Sequence, residues 1–509
     1  MFKRLLTLMR DSLVYGAGSL VSQVLNLLLL PLYTRGGYLD PEDFGVLQML
    51  LYIPMIFIML AAAGMKSAVF QQYHRTTDDA KRRVALTTAA VSVSVSTAVL
   101  LLIGVVLADP LSQLLIGKSD MRLVWLVRLT LCGAAMGTLT EIPTAILQSQ
   151  RRIKTVASLD VLQLLITIGI TIFFVVFLEW GVLGVVLGGL IGRTLDTLIN
   201  LGLAARSLCG RIDLKVWRTM SAYALPFLPH RLLAVLMVFF GEYILRVEYG
   251  LAQTGLYGAA LKFTLPILFV SGAIQQAWTP YKFKVFAEDP DPAAFFRSIF
   301  TYFIAGILYL WVGLSLWGPD LLRLMTSSNF HAAATLIWAV CLMRVMQAIY
   351  PMLSTGVEVG KNTRAVPLST LAGLLTALVT AVPLVREYGA LGAALATALA
   401  WGAVGIGIYF VAQRQIYIRY DLPTVAALAV LAVVSVVLGY QAQTLDLWVR
   451  LPVFAGLSLL FPLLAFLILL RSETERHRME IIWRKLLAMR RTPAVATAAE
   501  ETEAAVPLQ

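Results

Sequence analysis

Apolar runs of about 20 residues, the length a helix needs to cross ~30 Å of hydrocarbon, recur fourteen times along this chain. They cover approximately residues 12–34, 44–66, 84–107, 122–149, 155–178, 182–205, 219–245, 254–280, 298–318, 335–357, 365–385, 390–413, 424–442 and 450–470. A chain built this way has little left for a soluble domain, and its composition agrees: 509 residues, 59% hydrophobic, 14% charged, with a mean hydropathy of +0.80. The sequence therefore predicts an all-α polytopic membrane protein.

Two other classes fall away on charge and cysteine. The net charge of +12 could suggest nucleic acid, but in a chain of spans Lys and Arg collect in cytoplasmic loops, and no nucleic-acid partner is expected. Cys132, Cys209 and Cys341 sit in or beside apolar runs without disulfide or zinc-ligand spacing. They read as packing residues, and neither metal nor cofactor is expected. The first run follows Lys3, Arg4 and Arg10 but is too long for a signal peptide and lacks a small-residue cleavage site, so it counts as span 1.

With the N-terminus placed inside, 28 of the 41 Lys and Arg lie in cytoplasmic segments, 7 in outside loops and 6 within spans. That bias predicts both termini in the cytoplasm. After the last span, Met479, Ile482, Leu486 and Met489 share one face among basic residues, the pattern of an interfacial amphipathic helix. The small, acidic tail beyond it is expected to be disordered.

EWGVLGVVL at Glu179 returns as EYGALGAAL at Glu387, an offset of 208, and FGVLQML at Phe44 faces TGLYGAA at Thr254, an offset of 210. Two similar offsets indicate a duplicated six-span unit. Spans keep their direction between copies, so the repeats are parallel ones, and binding sites in such folds lie between the halves. The expected division is 1–218 for the N-terminal lobe, 219–423 for the C-terminal lobe, 424–470 for two extra spans, and 471–509 for the amphipathic helix and tail.

Span 7, LPFLPHRLLAVLMVFFGEYILR, carries Arg231 and Glu242 eleven residues apart, which returns them to nearly the same face. Other spans carry similar stripes: Asn26 with small hydroxyl residues in span 1, Glu141 in span 4, Asp160 in span 5, Arg193 and Asp196 in span 6, Arg344 in span 10. On lipid each such charge would cost roughly 2.5–3.5 kcal/mol, so these residues must meet water or one another. Arg193 and Asp196, one turn apart, can pair. Arg128, Arg231, Lys262 and Arg344 have no acid one turn away, which predicts a water-filled cavity with excess positive charge and an anionic ligand. The charges do not follow the duplication, as expected of residues placed by chemistry.

ILQSQRRIKTVASLDVLQLLITIGITIFFVVFLEWGVLGVVLGGLIG, Ile146 to Gly192, resembles the span 4 to 6 region of Wzx-type polysaccharide and O-antigen flippases of the multidrug/oligosaccharidyl-lipid/polysaccharide (MOP) exporter superfamily. RGGYLDPEDFG, Arg35 to Gly45, is similar to that family's turn between spans 1 and 2. The resemblance implies a V-shaped, two-lobed carrier rather than an enzyme, moving an undecaprenyl-diphosphate-linked oligosaccharide across a prokaryotic cytoplasmic membrane by alternating access. It also implies membrane lipids as partners, a coupling ion (proton or sodium), and neighbouring polymerase and glycosyltransferases. Arg35 and the cavity cations are the residues it singles out for the substrate. A lipid II flippase or a cation-coupled drug exporter of the same superfamily remains as an alternative; the drug exporters carry an acid in span 1, and this span has none past Asp11. A membrane glycosyltransferase would need large outside loops or a catalytic motif, whereas the longest internal loop expected here is about 281–297.

Overall fold

The computed structural model describes residues 27, 29–76, 78–225, 228–288, 291–360 and 366–471, and every regular element among them is helical. Most of span 1, with Asn26, and the segment 472–509 lie outside the described residues. Among the described residues, eleven helical stretches are long and apolar enough to cross a membrane. A twelfth counts if Leu214–Ala224 and Leu228–Lys262, inclined at 48°, form one bent span.

After a helical stretch over 29–35, the helices α1 (Pro41–Leu50), α2 (Tyr52–Ala62) and α3 (Met65–Arg75) make a single broken span. The RGGYLDPEDFG stretch explains where it starts. Asp40 accepts a hydrogen bond from the Asp43 amide at 2.8 Å while the Asp43 carboxylate accepts one from the Asp40 amide at 3.3 Å. With Pro41 in the first turn, this is a capping box that fixes the helix entry. Span 2 is followed by α4 (Asp79–Val106), a short α5 (Ala108–Ile116), α6 (Met121–Ser149), α7 (Ile153–Ile172) with a π-turn over Phe173–Phe177, and α8 (Gly181–Ala204). A short amphipathic helix, α9 (Leu214–Ala224), leads into α10 (Leu228–Lys262) and α11 (Leu265–Glu288). The rest are α12 (Pro292–Met325), a 3-10 stretch Ser328–Leu336, α13 (Ile337–Leu353), α14 (Thr355–Val359), α15 (Val366–Tyr388), α16 (Ala390–Gln415), α17 (Leu422–Ala442) and α18 (Leu447–Arg471).

Two boundaries differ from the sequence reading. Spans 7 and 8 were expected to be separated by a loop near 245–254, but α10 continues through that region and turns only at Gly250, whose φ of 81° is open to glycine. One residue does the work of a loop, and the apolar part of span 8 shortens to Leu265–Gln276. The loop expected at 281–297 is mostly helix, since α11 runs to Glu288 and α12 starts at Pro292.

The duplicated motifs have structural counterparts. Gly181 and Gly389, equivalent at an offset of 208, open α8 and α16 with matching left-handed φ values of 52° and 57°. Gly45 and Gly255, equivalent at 210, face each other's copies: a Cβ on Gly45 would lie 2.0 Å from the Leu251 carbonyl oxygen, and one on Gly255 would lie 1.8 Å from that of Pro41. Pro41 and Leu251 are themselves 210 apart. Helix α1 and the second limb of α10 thus cross backbone to backbone around a local two-fold relation. Phe44 meets Phe330 edge-on beside this crossing, at 5.1 Å between ring centres, and Tyr52 meets Phe239 at 4.9 Å.

Candidate functional site

Helix α3 begins after a left-handed break at Ala63 and Gly64, which brings Lys66 in its first turn against Glu141 of α6 at 3.2 Å. Both side chains are about a third exposed, so the pair adds little stability. They line a cavity of about 230 Å³ together with Arg231 of α10, Ser67, Met59 and Ile58. Arg231 is exposed and makes no hydrogen bond or ion pair with any described residue. Two cations against one acid leave the cavity one uncompensated positive charge. Asp160 on α7 lies within electrostatic reach of Lys66 but is exposed and bonded to nothing described. Arg231, Lys66 and Glu141, from three helices, therefore line one cavity.

Glu242 has a different place. Eleven residues along α10 is about 16 Å of helix, and at that distance from Arg231 the carboxylate is buried, 2% exposed, beside the glycine crossing. It accepts a hydrogen bond from Gln48 Nε2 of α1 at 2.8 Å and is also hydrogen-bonded to the Tyr52 hydroxyl of α2. Arg344 of α13 lies within electrostatic reach of Glu242, but its Nη1 donates to Gln347 Oε1 at 2.7 Å and its buried Nε has no partner. The group joins the first and second repeats through side chains rather than facing an open cavity. A buried carboxylate held by neutral donors is costly to strip of either.

The remaining expected residues are scattered. Arg128 stacks on Trp125, with its guanidinium carbon 5.2 Å from the ring centre, and its buried Nε has no partner. Lys262 is half-buried at the end of α10 without an ion pair or hydrogen bond among the described residues, and Arg35 is exposed with none either. Arg193 stays within electrostatic reach of Asp196 but makes no close ion pair with it: Asp196 accepts from Asn200 Nδ2 at 2.8 Å, and the Arg193 guanidinium leans over Gly137 of α6. Asn200 sits at i+4, directly above the carboxylate on the same face, whereas Gly137 leaves room for Arg193 to swing toward the neighbouring helix.

Three residues escaped the sequence reading. Gln48 and Tyr52 lie within apolar runs, and the only signal was a lone amide in FGVLQML. Lys282, expected in a loop, is a buried helical residue whose ammonium pairs with Glu358, and Ser354 Oγ donates to the other Glu358 oxygen at 2.7 Å. A larger cavity of about 1060 Å³ lies elsewhere, between the α10 turn, α12, α13, the Tyr388–Leu391 turn and α17. Trp311, Trp338, Val433 and Val437 make its walls apolar, and Gln253, Glu387 and Gln441 line its rim.

A sequence profile described as "Polysaccharide biosynthesis protein" matches residues 8–286, more than half of the chain. The chain belongs to the polysaccharide biosynthesis protein family. No curated protein matches it. Among solved structures this family member is similar to the lipid II flippase MurJ in an inward closed conformation, with a TM-score of 0.71 at 14% identity over 88% of this chain and 98% of that one. It is similar to an inward-facing multidrug resistance MATE transporter of the MOP superfamily, with a TM-score of 0.62 at 16% identity over 77% of this chain and 94% of that one. A MOP superfamily transporter from Pyrococcus furiosus with a reversed-polarity binding pocket gives a TM-score of 0.56 at 17% identity over 85% and 94%. The fold is that of MOP-superfamily transporters, and the protein is a multi-pass membrane protein of polysaccharide biosynthesis.

Proposed function

We propose that this chain flips an undecaprenyl-diphosphate-linked oligosaccharide from the cytoplasmic to the outer leaflet, by alternating access between its two repeats. The observation that carries the proposal is Arg231: an exposed guanidinium inside a span, in a cavity with Lys66 and Glu141, free of any described partner. A guanidinium there is expensive unless it meets water and an anion, and a diphosphate offers oxygens in the geometry that a guanidinium bonds bidentately. Among the described residues Arg128, Lys262 and Arg344 also make no ion pair, though none of them lines this cavity, and the Ser and Thr stripes are left for sugar hydroxyls. The 1060 Å³ cavity against α17 is apolar enough for part of the prenyl chain, which otherwise stays in the bilayer.

The test is a charge series at Arg231, scored as surface glycan at matched protein abundance. Arg231→Ala and Arg231→Gln are expected to abolish glycan, and Arg231→Lys to keep part of it, because a point charge still attracts phosphate but loses the fork geometry. Wild-type glycan in Arg231→Ala would remove this residue from the pathway.

A further inference from the structure

The linker between the two repeats has a surface that the transport pathway does not use. Across residues 206–218 it carries Arg206, Arg211, Lys215 and Arg218, all exposed and none in an ion pair with a described residue. Its one acid, Asp213, caps α9 by accepting from the amides of Lys215 at 2.7 Å and Val216 at 3.4 Å. Interleaved with these cations are large apolar side chains facing outward: Ile212 is 59% exposed, Leu214 76% and Trp217 43%. The packed face of α9 adjoins Trp217: Met220 and Ala224, three and seven residues further on, lie in a core shared with Met65, Val69 and Leu86.

The element is also held in register. Thr87 and Thr88 of α4 accept from the amides of Gly210 at 2.9 Å and Asp213 at 3.0 Å, and the Trp217 indole donates to Ser92 Oγ at 2.8 Å, well along the membrane-crossing helix α4. That last bond sets the depth of the indole beside a span. At 100° per residue, Trp217 and Leu214 fall on the flank adjoining Arg218 and Lys215, so apolar and cationic groups stand side by side along one edge. Water alone would not favour three bare apolar side chains there; the boundary between headgroups and acyl chains favours both kinds.

We propose that the α9 linker is an anionic-phospholipid site: Arg211, Lys215 and Arg218 hold lipid phosphates of the leaflet this linker meets, while Ile212, Leu214 and Trp217 enter the acyl boundary. Because the linker leads directly into α10, which carries Arg231 and Glu242, bound lipid would fix where that helix enters the membrane. The site stands on the linker geometry and not on the transport reading.

The test is native mass spectrometry of the full-length protein titrated with phosphatidylglycerol or phosphatidylcholine. Wild type is expected to retain phosphatidylglycerol preferentially, and less so as salt rises. Arg211→Gln/Lys215→Gln/Arg218→Gln should weaken that retention by about fivefold per charge removed. Arg414→Gln/Arg419→Gln, a pair of cations elsewhere, should leave it unchanged. If the triple variant does not accumulate, Lys215→Gln alone should still show the fivefold loss. Equal retention of the two lipids by wild type, or undiminished phosphatidylglycerol retention in the charge-removed protein, would overturn the site. So would displacement of the lipid by polyglutamate at equal charge concentration, which would make this surface a dock for an acidic protein.

Discussion

Replacing Gly45 by Ala isolates the contact between the repeats. The added Cβ would sit 2.0 Å from the Leu251 carbonyl oxygen and 2.7 Å from its carbon. The obstacle is backbone, so no rotamer change relieves it, and α1 must move away from α10 by more than an ångström. Overpacking of this kind costs about 1–3 kcal/mol, and a backbone clash belongs at the top of that range. Against it stands the helix-propensity gain of Gly to Ala, about 1 kcal/mol. The net is a destabilisation of about 2 kcal/mol. Gly402 of α16 supplies the control, because nothing lies within 4 Å of a Cβ built there. Gly402→Ala receives the propensity gain alone. For 150–250 residues 1 kcal/mol moves a melting temperature by about 2–4 °C, and a chain of this length should move less. Measured as apparent Tm in one detergent, Gly45→Ala is expected to fall a few degrees below wild type and Gly402→Ala to match or exceed it. If Gly45→Ala melts at or above Gly402→Ala, the backbone-to-backbone crossing is wrong.

The Gln48–Glu242 bond predicts coupling between repeats: in a double-mutant cycle of Gln48→Leu and Glu242→Gln, apparent stabilities should be non-additive by about 1–3 kcal/mol, and additive values would show that the two do not meet. For Arg193 and Asp196, the exchange Arg193→Asp with Asp196→Arg is expected not to rescue the single variants, whereas Asn200→Ala should reproduce the defect of Asp196→Ala; rescue by the exchange would restore the direct pair. The charge bias predicts that a cysteine at Ser207, in a background without Cys132, Cys209 and Cys341, is not labelled from outside intact cells by an impermeant thiol reagent. Labelling there would invert the topology.

Much of the architecture was legible because lipid leaves few options. Apolar runs of span length must be helices, and the repeat announced itself where glycines do architectural work: Gly181 and Gly389 at matching turns, Gly45 and Gly255 at a crossing. Breaks governed by a single residue were not legible as such: the polar stretch around Gly250 marks a boundary but not that the helix continues through it, and Ala63 at φ 43° has no propensity for its conformation. Within the candidate site, residues on one helix face could be grouped, but partners from other helices could not. Arg231, on α10, and Glu141, on α6, line one cavity. Glu242 shared Arg231's face and yet went to a buried junction, because its partners Gln48 and Tyr52 come from a broken span some 190 residues upstream. Asp196 went to Asn200 for a similar reason: spacing allows a pair, and the neighbouring helix decides whether it forms.

The most direct test of the central claim is translocation by the purified protein in sealed liposomes carrying a fluorescent undecaprenyl-diphosphate oligosaccharide, read as the fraction accessible to an impermeant quencher. Wild type is expected to translocate it, Arg231→Ala to lose that movement and Arg231→Lys to keep part of it, with little movement of the same glycan on an uncharged lipid carrier. Equal movement of the charged and uncharged carriers, or of the charged carrier by wild type and Arg231→Ala, would contradict the claim.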